Sequence, residues 1–202
     1  MQNRFHHVTN DRPTVKELAM PLPDIIVRIM LMAMALFTTP ALAKNEKSWD
    51  RASTIGAYGL VAVSIGLPLV QKDKNGALQA GGSVLAASLV TNGLKEAFPE
   101  LRPDGSDRRS FPSGHTSNAF SAASSLYNRQ GPAVGIPALV VASFVGFARV
   151  KADKHHWYDV VVGAGIGGAA GFLITNKRPQ QSAMLIPWGD SKGGGISLAM
   201  RF

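Results

Sequence analysis

The sequence contains no cysteine among its 202 residues. This absence excludes a disulfide framework, a thiolate zinc site and a cysteine nucleophile. Charged residues are also scarce, at 17% of the chain against about 25% in an average soluble domain. The 21 glycines and 12 prolines follow no repeat, which excludes collagen-like and low-complexity sequences. The hydrophobic fraction of 46% excludes disorder and argues against an ordinary water-soluble globule with a charged coat.

The charges that are present are mostly positive and give a net charge of +8. The lysines and arginines lie in the short gaps between apolar stretches, and they form neither a basic tail nor a basic amphipathic helix. This distribution suits an anionic small ligand or lipid head groups better than a nucleic acid. We therefore expect no nucleic-acid partner.

The N-terminal segment, residues 1–43, has the pattern of a leader. Arg28 precedes the nine-residue apolar run Ile29–Phe37, and small residues follow at Ala41 and Ala43. A basic residue, a short apolar run and a small-x-small site are typical of a secretory signal peptide. The alternative is an uncleaved first membrane helix. Counted from Met20 the leader has 24 residues, an ordinary length, so we expect Met20 to be the true start.

Residues 44–178 are expected to form the main domain. They contain five apolar blocks, which are Thr54–Val70, Ala77–Leu94, His115–Tyr127, Pro132–Ala148 and Asp159–Thr175. The blocks lack strand-like alternation and are long enough for helices, and the tight connections between them require antiparallel neighbours. Abundant glycine and alanine permit close helix approach, as in membrane bundles. The predicted fold is all-α, an antiparallel bundle of five to six mostly membrane-spanning helices.

Four of these blocks have no ionisable residue in their interior and approach the length of about 17 to 25 residues that spans a bilayer. The third block is more polar, so its polar residues would face the bundle interior; these are Ser117, Asn118, Ser121, Ser124 and Ser125. A membrane bundle is favoured over a buried soluble one. The turns 71–76 and 128–131 and the residues after Thr175 then share one side, whose basic residues favour the cytoplasm. The opposite side is also basic, so the charge bias alone does not decide the orientation, and the leader decides it by placing Lys44 outside.

The C-terminal segment, residues 179–202, changes character. Residues 196–202 alternate with period two after a glycine-rich stretch, which predicts a short β-hairpin. The alternative is a loosely attached tail.

Three polar clusters lie at the end of the predicted bundle opposite the turns 71–76 and 128–131. The ends of membrane helices do not require so many charged residues, so we expect the clusters to converge on one site. The clusters span Lys95–Pro103, Ser110–Thr116 and Arg149–Asp159. Together Lys95, Arg102 and Arg149 form a tricationic cradle suited to the oxygens of a phosphoryl group.

The remaining residues of these clusters complete a site for phosphoryl transfer without a metal. Ser113 and Gly114 precede a helix, where their backbone N–H groups would bind an anion. His155 and Asp159 are four residues apart, so Asp159 can hold one imidazole nitrogen as N–H and leave the other as a nucleophile. His115, from another helix, could protonate the departing oxygen.

The pattern Lys95-x6-Arg102-Pro103, Pro112-Ser-Gly-His115 and Arg149-x5-His155-x3-Asp159 resembles the type 2 phosphatidic acid phosphatase (PAP2) superfamily. That family includes lipid phosphatases, bacterial class A acid phosphatases and vanadium haloperoxidases. The resemblance implies that His155 forms a phosphohistidine, that Asp159 orients it and that His115 is the acid. It implies phosphate binding by the other motif residues, which are Lys95, Arg102, Ser113, Gly114 and Arg149. It also implies that no metal or cofactor is needed.

The chain departs from the family pattern in two ways. Ala148 stands where the family often has serine, and cleavage of the leader would leave five long helices against the usual six.

The function expected from the sequence is that of a hydrolase, a metal-independent lipid phosphatase. It would sit in a bacterial inner membrane with its site facing the periplasm. Its substrate would be a membrane-lipid phosphomonoester or pyrophosphate, such as phosphatidate, phosphatidylglycerophosphate, undecaprenyl pyrophosphate or phosphorylated lipid A. The alternatives are a secreted, soluble periplasmic acid phosphatase and a non-catalytic membrane protein that binds lipid or anions. The sequence carries no signal for a particular lipid or oligomeric state.

Overall fold

The protein is described here by a computed structural model that covers residues 45–178, 183–190 and 193–200. The predicted leader, residues 1–43, lies outside the described residues. The helices are α1 (Glu46–Val70), α2 (Lys74–Ala97), α3 (Gly114–Gln130), α4 (Pro132–Lys151) and α5 (Trp157–Ile174). Strands β1 (Ala183–Asp190) and β2 (Gly193–Met200) follow and pair antiparallel, with Ala183 opposite Met200. The five predicted blocks are therefore helices, and the strand pairing agrees with the predicted hairpin.

Local sequence explains where several helices begin. Asp73 caps α2, since its side chain accepts a hydrogen bond from the N–H of Gly76 at 2.9 Å. Gly131 precedes α4 with a φ of 83°, a left-handed conformation that glycine adopts readily, and Pro132 occupies the first turn of that helix. His156 and Asp159 cap α5 reciprocally, each side chain accepting the backbone N–H of the other. These caps set the helix ends on which the site depends.

Helix α3 lies at the centre of the bundle and contacts each of the other four helices. Its contact with α2 is a seam of hydroxyl groups. Thr91 donates to Ser117 at 2.9 Å, Ser121 donates to Ser83 at 3.1 Å, and Ser83 and Ser125 are 2.8 Å apart. The prediction that the polar residues of this block face inward is confirmed for the buried serines, which are Ser117, Ser121, Ser124 and Ser125.

Helix α5 approaches the backbone of α3 closely through glycines spaced four residues apart. A Cβ added at Gly163 would come within 2.6 Å of the Ser113 carbonyl oxygen, and one at Gly171 within 2.7 Å of the Ser121 carbonyl oxygen. Gly165, on another side of the helix, meets nothing within 4 Å. Such spacing of small residues lets two helix backbones touch. The close contact joins α3, which carries His115, to α5, which begins two residues after His155.

One end of the bundle is closed by an ion pair and amide contacts. Arg129 binds both carboxylate oxygens of Asp73 at 2.6 Å and donates to the carbonyl of Asn176 at 2.9 Å. The hydrogen bond with Arg129 holds the pKa of Asp73 below its usual value. Gln71 and Gln130 exchange hydrogen bonds of 3.2 and 2.9 Å. These contacts confirm that the turns 71–76 and 128–131 and the residues after Thr175 share one end.

The opposite end gathers the three polar clusters. Arg102 donates to the carbonyl of Lys154 at 3.0 Å, and Lys95 donates to the carbonyl of Arg109 at 2.7 Å. The predicted convergence of these clusters is therefore confirmed.

The outer surface of the bundle is apolar and its interior is built of small residues. Helices α1, α4 and α5 are long and apolar enough to cross a membrane by length and composition. Among the described helices, α2 and α3 do not meet this criterion. The sequence predicted four apolar blocks of nearly membrane-spanning length, and three described helices are long and apolar enough. Large apolar side chains point outward, and examples are Leu69, Leu78, Leu85, Leu89, Ile136, Val140, Val161 and Leu173. This arrangement supports a membrane location.

Candidate active site

A cavity of about 270 Å³ opens where the polar clusters meet. Six of its lining residues belong to the predicted site, and they are Lys95, Arg102, Gly114, His115, Arg149 and His155. The others are Ala57, Tyr58, Asn92 and Asn118. Both histidines, from different parts of the chain, therefore line one cavity together with three cationic side chains.

His155 is fixed by a backbone carbonyl. Its Nδ1 lies 2.7 Å from the carbonyl oxygen of Ser110 and 3.6 Å from Oδ2 of Asp159. Because a carbonyl oxygen only accepts, Nδ1 carries the proton and Nε2 keeps a free lone pair. Nε2 lies 3.4 Å from Nη1 of Arg102, which also lines the cavity. The sequence predicted Asp159 as the orienting partner, whereas the shorter contact comes from the Ser110 carbonyl.

Asp159 is fully buried and does not line the cavity. Its Oδ2 accepts hydrogen bonds from the Ser110 hydroxyl at 2.5 Å and from the His156 N–H at 2.9 Å. Its Oδ1 is buried without a hydrogen-bond partner among the described residues. The carboxylate therefore acts on His155 both directly, at 3.6 Å, and by fixing Ser110.

Burial lowers the pKa of His155 to about 4. The carboxylate of Asp159 opposes this shift, and the positive charges of Arg149 and Arg102 add to it. The imidazole is therefore neutral at pH 7, which is the protonation state that a nucleophile requires.

Two of the cations are partly neutralised by acidic residues beside the cavity. Nε of Arg102 donates to Asp107 at 2.7 Å. Nη1 of Arg149 pairs with Asp50 of α1, and Nε of Arg149 is buried without a partner among the described residues. Both arginines therefore keep donor capacity for an anion in the cavity.

Lys95 is held by the loop that precedes α3. Its ammonium group donates to the carbonyls of Arg109 at 2.7 Å and of Pro112 at 2.5 Å, and it lies 3.4 Å from that of Ser110. Lys95 thus positions the loop before His115 and also supplies positive charge to the cavity.

The start of α3 contributes to the cavity through Gly114 but not through Ser113. The Ser113 N–H donates to the carbonyl of Asp159 at 3.0 Å, and its hydroxyl lies 2.9 Å from that of Thr116. In this structure the Ser113 N–H therefore joins α3 to α5, and phosphate binding by Ser113 stays a prediction. His115 lies against α1, with Nε2 3.4 Å from the Thr54 hydroxyl.

One cluster of titratable groups beside the cavity has the composition of a metal site. Glu100, His156 and Asp159 each place a ligand atom within 4.8 Å of the others. The His156 side chain, however, accepts the N–H of Asp159 in the α5 cap, and Asp159 Oδ2 accepts two hydrogen bonds. These side-chain atoms of His156 and Asp159 therefore already make hydrogen bonds that cap α5 and hold Ser110.

Sequence reasoning missed several neighbours of the site. Asp50 lies in the first turns of α1, before the predicted apolar block, and Thr54 is the first residue of that block, where the sequence gave no reason to assign it to the site. The Ser110 carbonyl is a backbone group, so no residue type could have indicated it. Asn92 lies within an apolar block and was not singled out, and Asn118 was expected to face the bundle interior but was not assigned to the site.

Comparison with known proteins identifies the family. Residues 104–182 match the model of the PAP2 superfamily. The chain is 30% identical to the lipid A 4′-phosphatase of Helicobacter pylori over 178 residues, which cover 82% of this chain and 88% of that protein. It is 37% identical to the lipid A 1-phosphatase of Porphyromonas gingivalis over 101 residues, which cover 47% of this chain but only 22% of that protein.

Two solved structures share the fold. LpxE of Aquifex aeolicus aligns with a TM-score of 0.56 and 21% identity, covering 76% of this chain and 94% of that one. The transmembrane PAP2-type phosphatidylglycerolphosphate phosphatase of Bacillus subtilis aligns with a TM-score of 0.52 and 24% identity, covering 75% and 93%. The family and its relatives support the predicted class, a membrane lipid phosphatase. Since one relative is matched along nearly its whole length and the family model spans both cavity histidines, this chain belongs to the PAP2 superfamily.

Proposed function

We propose that this protein hydrolyses a phosphate monoester of a glycolipid of the lipid A type, with His155 as the nucleophile and His115 as the general acid. The observation that carries the proposal is the single cavity in which both histidines meet Lys95, Arg102 and Arg149. The two relatives named as lipid A phosphatases favour a phosphorylated sugar lipid over the other lipids considered.

In the first step, Nε2 of His155 attacks phosphorus and forms the P–N bond while the bond to the lipid oxygen breaks. Burial lowers the pKa of His115 to about 4, and the negative charge of the bound phosphate raises it again, so that the imidazole is protonated beside the substrate. It then gives its proton to that oxygen, and the lipid leaves as a neutral alcohol. The guanidinium groups of Arg102 and Arg149 stabilise the charge on the non-bridging oxygens. The Nδ1 hydrogen bond to Ser110 stabilises the positive charge that develops on the imidazole.

In the second step, water attacks the phosphohistidine and the P–N bond breaks. His115, now neutral, takes a proton from the water, and the lone pair returns to Nε2 of His155. Inorganic phosphate leaves, and both histidines regain their starting protonation. No metal takes part in either step.

We further propose that the site faces the periplasm in a bacterial inner membrane. The leader-like segment at 1–43 supports this orientation, and the apolar outer surface of the bundle favours it over the secreted soluble alternative. A lipid phosphate at the outer surface of the bilayer would then meet the cavity at the end of the bundle.

The test measures phosphate release by the purified protein in detergent from diphosphorylated lipid A. We expect turnover by the wild type and none by His155→Asn. The matched control is His156→Asn, which removes the neighbouring imidazole but leaves a residue that caps helices well, so its activity should stay within about tenfold of the wild type. Equal rates for His155→Asn and the wild type would refute the proposal.

The same assay tests the role of His115. His115→Ala should slow turnover of the lipid by about 10²- to 10⁴-fold. For an aryl phosphate, whose leaving group needs no proton, the same substitution should slow turnover much less. An equal loss on both substrates would remove the general-acid assignment.

A further inference from the structure

The cavity has a neutral polar part that phosphate chemistry does not use. Besides the cations and histidines, it is lined by the side chains of Asn92, Asn118 and Tyr58. Its volume of about 270 Å³ is room for about nine groups of water size, at about 30 Å³ each, whereas a phosphate has five non-hydrogen atoms. The cavity therefore has space for part of the alcohol that carries the phosphate.

The two asparagines lie in one layer, displaced along the bundle axis from the phosphate-binding groups; Asn92 is exposed and Asn118 is half-buried. Asn92 precedes Lys95 by three residues on α2, which runs toward the site. Asn118 follows His115 by three residues on α3, which begins at the site. Three residues are nearly one helical turn, so each asparagine lies about 5 Å further along the bundle axis than its neighbour, away from the site end. In a membrane-spanning bundle this is the direction of the bilayer interior, where the acyl chains of a lipid substrate lie.

Tyr58 belongs to the same layer. It follows Thr54 by four residues on α1, which also begins at the site end. Its ring meets the imidazole of His115 edge-on, with 6.0 Å between the ring centroids. The proposed general acid therefore contacts this layer through Tyr58.

The amide of Asn118 is oriented by the protein. The hydroxyl of Ser88 donates to Oδ1 of Asn118 at 2.8 Å. The end that carries the two N–H donors is therefore the one left for a ligand. Asn92 makes no hydrogen bond with another described residue, so its amide offers both donors and an acceptor to the cavity.

The chemistry of this layer selects a class of ligand. Neutral amides do not neutralise an anion, and they would be left unpaired against an acyl chain. An ester oxygen only accepts hydrogen bonds, whereas a hydroxyl group both donates and accepts and so matches the amide of Asn92. The amino sugars of lipid A keep free hydroxyl and amide N–H groups that donate hydrogen bonds, whereas the glycerol of a diacylglycerol phosphate has its remaining oxygens esterified.

We infer that Asn92 and Asn118 form a subsite for the hydroxyl groups of the sugar that bears the phosphate, and that this subsite favours phosphorylated glycolipids over diacylglycerol phosphates. The inference rests on the proposed function. It assigns substrate selectivity to residues outside the motifs that bind phosphate.

The experiment compares kcat/KM for monophosphorylated lipid A and for phosphatidic acid in the same detergent micelles. Asn92→Leu replaces the amide that both donates and accepts by an apolar group of similar size. We expect it to lower kcat/KM for the glycolipid by about 10- to 100-fold and for phosphatidic acid by less than about threefold. Ser88→Ala, which releases the amide of Asn118, should give a smaller loss in the same direction.

The matched control is Asn75→Leu, the same substitution at an exposed position in the first turn of α2, which should leave the ratio of the two kcat/KM values unchanged. Inhibition by inorganic phosphate should also be the same in Asn92→Leu as in the wild type, because the cations are intact. Equal losses on both lipids, or an unchanged ratio, would overturn the subsite. If the wild type hydrolyses neither lipid, the proposed function fails and the inference fails with it.

Discussion

The hydroxyl of Ser110 offers a direct test of how His155, the proposed nucleophile, is positioned. Ser110 is fully buried and lies outside the cavity lining, yet it contacts His155 through its carbonyl and Asp159 through its hydroxyl. Ser110→Ala removes only the hydroxyl and keeps the carbonyl. The change therefore isolates the link between the carboxylate and the loop.

The size of the effect follows from the bond that is lost. A buried hydrogen bond to a charged group contributes about 1.5–3 kcal/mol. The Ser110 hydroxyl makes such a bond, at 2.5 Å, to the Asp159 carboxylate. If this energy serves to orient His155 in the transition state, kcat falls by about 10- to 100-fold, since about 1.4 kcal/mol is a factor of ten. KM should change little, because Ser110 does not line the cavity.

The assay is steady-state release of phosphate from the lipid substrate across a range of pH. Without the hydroxyl, the Asp159 carboxylate interacts more strongly with His155, so the pKa of His155 should rise. The acidic limb of the profile of kcat against pH should then move to higher pH. A variant that lost activity only through misfolding would not shift this limb. Ser143→Ala is the control, because it removes an exposed hydroxyl that bonds only within α4. A kcat for Ser110→Ala within twofold of the wild type would refute this reasoning.

Two further predictions concern the protonation of the nucleophile and the packing of the bundle. With a pKa of about 4, His155 should be about 90% neutral at pH 5, where an ordinary histidine near 6.5 would be only about 3% neutral, and protonation should set in as the pH falls through about 4. Nitrogen-15 NMR of labelled histidine, with His155→Asn for assignment, measures this directly, and titration near pH 6.5 would contradict it. Gly171→Ala should lower the melting temperature in detergent through a loss of about 1–3 kcal/mol, because its Cβ would come within 2.6 Å of the Ser124 Cβ. Gly165→Ala, which meets nothing within 4 Å, should not lower it, and equal melting temperatures for the two variants would argue against close α3–α5 contact.

The helices could be predicted well from the sequence because their apolar blocks have clear polar borders. The predicted block at Pro132 begins where α4 begins, since glycine and proline mark that boundary. Helix α1 begins eight residues before its predicted block at Thr54, with Glu46. Its first turns are polar because they reach the site, so they carry no apolar signal. Asp50, the partner of Arg149, was missed for the same reason.

The site could be predicted as a set of side chains but not as a set of bonds. Spacing indicated that His155 and Asp159 would share a face, and they are 3.6 Å apart. The closer partner of His155 is the Ser110 carbonyl, and the Ser113 N–H binds the Asp159 carbonyl. Every residue has these backbone groups, so which of them are used depends on tertiary contacts that no residue pattern encodes.

The central position of α3 has a consequence for recognising proteins of this architecture. Because four neighbouring helices surround α3, its side chains contact protein and do not need to be apolar. This helix can therefore carry buried hydroxyl groups and, at its start, the imidazole of His115. A hydropathy plot would therefore not detect the helix around which the others are arranged. Counting hydrophobic segments would underestimate the number of helices in such an enzyme.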